Sequence, residues 1–178
     1  MTTARDDLKR LIILRHAKAA WPRDVEDHDR PLATRGHRDA PHAGIWLREA
    51  GLIPDAIICS DALRTRQTCT WVCSELGEKA PTPYLEERLY HAGPSEALSV
   101  INETGDQTRT LLVIGHMPWV QELGMRIASV DSEESAVMEM AERYPTLGLQ
   151  VFEIPGDWAT LDGRDARMTH FTVPRHDS

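Results

Sequence analysis

Four side chains in this sequence stand where they could act as a group: Arg15, His16, Arg64 and His116. Arg15 and His16 follow the apolar run Leu11-Ile12-Ile13-Leu14, and His116 follows Thr110-Leu111-Leu112-Val113-Ile114-Gly115. Arg64 lies just past the run Ala56-Ile57-Ile58-Cys59 and the polar residues Ser60 and Asp61 that halt it. Two guanidinium groups and two imidazoles repel one another when charged, so such a set makes chemical sense around an anion. Arginine forks match phosphate oxygens in geometry as well as in charge.

The elements that must bring these residues together are legible from periodicity. Each apolar run is short, continuous and bounded by polar residues, as expected of a strand buried on both faces. Helical spacing fills the gaps. Ala40, Ala43, Trp46, Leu47 and Ala50 predict a helix over 37–50, with Thr34 as a candidate N-cap and Gly51 as its stop. Leu63, Cys69, Val72 and Leu76 predict a second helix, capped by Ser60 and ended by Gly77. Further helices are expected over 95–103, 118–129 and 131–143, with Pro118 in a first turn where its missing N–H costs nothing. Strands and helices in alternation indicate βαβ units and a mainly parallel sheet. Parallel strands share one carboxyl edge, where open α/β sheets bind ligands, and all four residues fall on that edge. Towards the end of the chain, 147–154, 159–161 and 168–173 read as strands, with Asp162-Gly163 as a hairpin turn.

Composition narrows the possibilities. The 178 residues, 41% hydrophobic and 27% charged, suit a single domain over 1–178, with 1–10 as a polar N-terminal extension. A formal net charge of -8 argues against nucleic acid or an anionic membrane as a partner. Met1 to Arg10 has no apolar signal-like core and no stretch is long enough to span a bilayer, so a cytoplasmic protein is expected. Three cysteines describe no disulfide framework, and Cys69 and Cys73 have no neighbouring histidine to complete a zinc set. The acidic cluster Asp24, Glu26, Asp27 and Asp29 reads as solvated loop surface. The five tryptophans and six methionines fall at core spacing and suggest no cofactor box. His28, His37, His42, His91, His170 and His176 match no catalytic pattern.

Taken in chain order, Arg15-His16-Ala17-Lys18, Arg30-Pro31-Leu32 with Arg35-Gly36, Ser60 to Thr68 with Arg64 and Gln67-Thr68, Leu85-Glu86-Glu87-Arg88, and Gly115-His116 resemble the histidine phosphatase superfamily, the phosphoglycerate mutase-like group. The set is most similar to the SixA-type phosphohistidine phosphatases, and the resemblance runs from about Leu11 to Phe171-Thr172-Val173-Pro174. It implies a three-layer αβα sandwich with a mainly parallel central sheet and C-terminal hairpin strands. It also implies that His16 is a nucleophile forming a phosphohistidine intermediate, with Arg15, Arg64 and His116 binding the phosphate and neutralising charge during transfer. No metal or other cofactor is implied, because these side chains supply the positive charge.

Two assignments keep a second reading. Glu87 is the candidate general acid, or a surface carboxylate paired with Arg88. Arg30 adds a phosphate contact, or pairs structurally with Asp27 or Asp29. Two residues depart from the wider pattern: Ala17 stands where most of the superfamily has glycine, and Asp61 where proline is common. Asp61 would weaken phosphate affinity or favour the following helix through its dipole. The expected partner is a phosphorylated protein bearing phosphohistidine, or a small phosphate monoester such as a sugar phosphate. A phosphate- or phosphohistidine-binding module without turnover is the alternative from another class.

Overall fold

The apolar runs form strands in the expected places. The computed structural model describes residues 8–175. In it, strands β1 (Lys9–Arg15), β2 (Ala56–Ser60), β3 (Tyr84–Glu86), β4 (Thr110–Gly115), β5 (Leu149–Ile154) and β6 (Arg167–Thr172) make one sheet in the order β3-β2-β4-β1-β5-β6. β1 to β4 run parallel, while β5 pairs antiparallel with β1 and β6 antiparallel with β5. β1 begins at Lys9, inside the expected 1–10 extension, whose first seven residues lie outside the described ones, as does His176. No described helix is long and apolar enough to cross a membrane.

The alternating side chains of the central strands feed two cores. Leu11, Ile13, Leu111 and Val113 face helices α4 (Pro94–Asn102), α5 (Trp119–Ile127) and α6 (Glu134–Glu142). Ile12, Leu14, Leu112 and Ile114 face α2 (Pro41–Glu49) and α3 (Leu63–Leu76). Helices thus cover both faces of a mostly parallel sheet, which is the expected αβα sandwich. Burying a strand on both faces removes each aliphatic side chain from water, worth roughly 1.5–3 kcal/mol apiece.

Several local expectations are corrected. The helix expected over 37–50 is two helices, α1 (Thr34–Asp39) and α2, because Pro41 lacks the N–H that would continue α1 and instead opens α2. Thr34 is the first residue of α1 and Ala33 its N-cap, with no side-chain capping bond. Ala159–Leu161 is no strand. Trp158–Thr160 forms a 3-10 turn whose buried indole donates to the Thr108 carbonyl, while the Asn102 amide holds the carbonyls of Trp158 and Leu161. Asp162-Gly163 therefore turns no hairpin, and β5 reaches β6 through this packed segment. The tryptophans are not all core, since Trp21 is 77% exposed.

Candidate active site

The carboxyl edge of β1, β2 and β4 builds the site as the topology requires. Arg15 ends β1 beside Gly115, and the His16 amide donates to the Gly115 carbonyl at 3.2 Å. His116 follows Gly115, where any side chain would collide with the Trp119 ring that packs beneath it. The next amide, that of Ala17, is held at 3.0 Å by the Thr68 hydroxyl, which also donates to the Arg64 carbonyl at 2.8 Å. The Gln67 side chain accepts from the Leu32 amide at 2.7 Å. Helix α3 thereby fixes the chain after β1 and the loop before α1, and it presents Arg64 from its first turn.

Arg15, His16, Arg30, Arg64 and His116 line one cavity of about 190 Å³, together with Lys18, Ala19, Trp21, Met117 and Thr146. No aspartate or glutamate is among these lining residues. The rings of His16 and His116 lie 5.3 Å apart, tilted by 58°. Nδ1 of His16 is 2.7 Å from the Ala17 carbonyl oxygen, which can only accept, so Nδ1 carries the proton and Nε2 keeps its lone pair. Burial above all, then the neighbouring Arg64, Arg15 and Arg30, lowers the His16 pKa to about 3. Burial lowers His116 too, with His16 and Arg64 adding to the effect. Both rings are neutral near pH 7. Two atoms of the lining residues, Nε of Arg15 and Nδ1 of His116, are buried without a hydrogen-bond partner. Unpaired buried donors cost about 1–3 kcal/mol each unless a ligand takes them.

One residue of the acidic cluster, exposed as expected of loop surface, also bonds two of the lining arginines. Asp27 accepts from Nη1 of Arg30 at 3.0 Å, from Nη2 of Arg64 at 3.2 Å and from the Tyr90 hydroxyl. Its carbonyl also takes Nη1 of Arg64 at 2.7 Å. The Tyr90 hydroxyl, then Arg30 and Arg64, hold its carboxyl far below the usual carboxylate range. Asp27 is thus a fixed anion that orients both guanidinium groups. Ser60, read from sequence as a helix cap, places its hydroxyl 2.7 Å from Nε2 of His116, and Ala62 takes the N-cap position. The end of an apolar strand was the signal for Ser60; no sequence signal marked Tyr90.

The remaining assignments separate. Arg30 pairs with Asp27, as the structural reading of it expects, and it also lines the cavity. Asp61 does not line the cavity; its carboxylate pairs with His28 at 2.9 Å. Glu87 is not brought into the cavity either. It opens an exposed 3-10 turn, Glu87–Leu89, in which Leu89 takes the buried position. Nor does Glu87 pair with Arg88, whose guanidinium forks onto Glu86 at 2.9 and 3.0 Å and onto Glu103 at 2.7 Å.

The buried neutral imidazoles make stability depend on pH. In the unfolded chain His16 takes up a proton below about pH 6.5, whereas in the fold it stays neutral until about pH 3. The unfolded state therefore binds the additional proton first. The contribution is full above pH 6.5 and is lost as pH falls through that window, at about 1.4 kcal/mol per pH unit. His16→Gln removes the term. Urea unfolding is expected to show the variant gaining about 2 kcal/mol on wild type between pH 7.5 and pH 5, and an unchanged difference would show that His16 titrates normally.

A family model described as histidine phosphatase superfamily, branch 1, matches residues 11–110. An uncharacterized protein of Mycobacterium tuberculosis (strain H37Rv) is 44% identical over 163 residues, 91% of this chain and all of that relative. A solved structure from Nakamurella multipartitia, assigned as the phosphohistidine phosphatase SixA, is 30% identical, with a TM-score of 0.80 over 94% of this chain and 96% of that one. A SixA from Agrobacterium tumefaciens assigned the same activity is 25% identical, with a TM-score of 0.75 over 93% of this chain and 98% of its own.

Proposed function

Because this chain belongs to the histidine phosphatase superfamily and is SixA-like in sequence and fold, we propose that it removes phosphate from phosphohistidine in proteins through a phosphohistidine intermediate on His16. The observation that supports this most is the pairing of a free Nε2 on neutral His16 with a cationic cavity that no carboxylate lines. Nε2 attacks phosphorus as the bond to the departing nitrogen breaks. Arg15, Arg64 and Arg30 hold the equatorial oxygens, where charge stabilisation by preset donors is the largest catalytic term. In this reading the Ser60 hydroxyl, 2.7 Å from Nε2 of His116, donates to it, which leaves the otherwise unpartnered Nδ1 of His116 protonated and available to the phosphate. Water then attacks the phosphoenzyme, releasing phosphate and restoring neutral His16.

The departing group decides between substrates. An alkoxide is a poor leaving group and needs a proton from an acid held within hydrogen-bond reach. Asp27 is locked as an anion and Glu87 stands outside the cavity, so neither serves. An imidazole protonated on its other nitrogen departs neutral and needs no such donor. Protein-borne phosphohistidine also suits the short connection between β3 and β4. That segment builds a single α-helix, α4, after the 3-10 turn, and although its Tyr90 lies against His116, none of its residues lines the cavity.

The test compares a phosphohistidine peptide with a panel of sugar phosphates and other monoesters. A preference for the peptide of at least about 10²-fold in kcat/KM is expected, the scale that a missing acid costs an ester. A preference for a monoester would assign the protein to small-metabolite phosphatases, and binding without turnover would make it a reader of phosphate. Glu87→Gln is expected to keep kcat on the peptide within about twofold; a drop of 10² or more would restore Glu87 as the proton donor.

A further inference from the structure

One wall of the cavity is unlike the others. Trp21 lines it and is 77% exposed, while His16, Arg30, Arg64 and His116, which also line it, are buried. Scattered exposed aromatics are ordinary on protein surfaces; this one sits at the mouth of a phosphate-sized cationic cavity. One face of the ring is occupied, with the Arg30 guanidinium carbon 3.3 Å from the ring centroid. Arg30 is itself immobilised, since Nε donates to the Ala20 carbonyl at 3.0 Å and Nη1 to Asp27, and it is only 8% exposed. The base of the loop is fixed as well. The Ala20 amide donates to the Pro31 carbonyl at 2.8 Å, the Ala33 amide to the Lys18 carbonyl at 2.9 Å, and Ala19 bridges Leu32. The indole is therefore a plate at the cavity's lining, covered on one side by a fixed guanidinium and exposed on the other.

We propose that the open face of Trp21 is the leaving-group subsite, stacking the planar ring that departs from phosphorus and so selecting aromatic over aliphatic or ringless phosphate donors. This rests on the phosphatase reading of the same cavity. Offset stacking of two rings adds to affinity beyond the area it buries. The other role open to Trp21 is to shield Arg30 from water, which would affect every substrate equally.

The experiment measures kcat/KM for N-phosphoimidazole, which has a ring, and phosphoramidate, which has none, in wild type, Trp21→Ala and Trp21→Phe. The ratio of the two values is expected to fall about fivefold to tenfold in Trp21→Ala, mainly through KM, and to stay within about twofold in Trp21→Phe. An unchanged ratio, with both substrates affected alike, would overturn the subsite and leave Trp21 as a cover for Arg30. If wild type hydrolyses neither compound, the phosphohistidine reading fails on its own. The subsite is then decided by phenyl phosphate against ethyl phosphate, where the same fall in ratio upholds it and a constant ratio rejects it.

Discussion

Replacing His16 with glutamine is expected to lower turnover of a phosphohistidine peptide by at least about 10⁴-fold, because no other group in the cavity has a free nucleophilic lone pair in the right place. Glutamine keeps the approximate length and polarity of the side chain and can still donate to the Ala17 carbonyl, so the cavity survives while the attacking atom is lost. The variant should retain its fold, and by the proton argument above it should resist acid better than wild type. Phosphate binding should persist, since Arg15, Arg30, Arg64 and His116 remain. Steady-state rates and calorimetric titration with phosphate check the two halves of this expectation. Residual turnover within tenfold of wild type would remove His16 from the reaction path.

Arg64→Ala is expected to cost about 10²–10³ in kcat/KM, the scale of losing a preorganised donor to developing charge. Arg64→Lys should recover little. A lysine brings one charge but cannot engage the Asp27 carbonyl, the Asp27 carboxylate and a phosphate oxygen together, as the forked guanidinium can. Asp27→Asn should weaken turnover less, by about tenfold, because it loosens Arg64 and Arg30 without removing them. The two substitutions should then fall short of additivity, as groups in one network do. Kinetics on the two single variants and the double variant measure this; strict additivity would mean that Asp27 does not act through Arg64.

The sequence made visible the features that simple rules constrain. Arg15, His16 and His116 were found because each terminates an uninterrupted aliphatic run, and parallel strands leave their carboxyl ends no choice of edge. Helix α3 ended where Gly77 required, and Arg64 was placed by its distance from the end of β2. Features that depend on direction were hidden. Asp27 belongs to a run of acids in which charge is plain and partners are not; it is exposed like its neighbours, and only the fold shows that it also bonds two buried arginines. Ser60 could equally cap a helix or serve a histidine, and the structure chose the histidine. Glu87 was selected by its neighbours in sequence, whereas the 3-10 turn buries Leu89 and leaves Glu87 outside. Trp21 falls in the polar stretch 17–30, which reads as a loop over the strand edge, and only the fold shows that it lines the cavity. The strand expected at 159–161 failed because Trp158 needed a buried acceptor for its indole N–H and found it at Thr108.

The central claim is a covalent one, and rapid quenching tests it most directly. Wild-type protein mixed with phosphorus-32 phosphohistidine peptide and quenched in alkali within milliseconds should carry label on His16, stable to base and labile to acid, that appears before free phosphate and decays as phosphate is released. Label that survives acid, maps to another residue, or never appears while phosphate is produced would contradict the account.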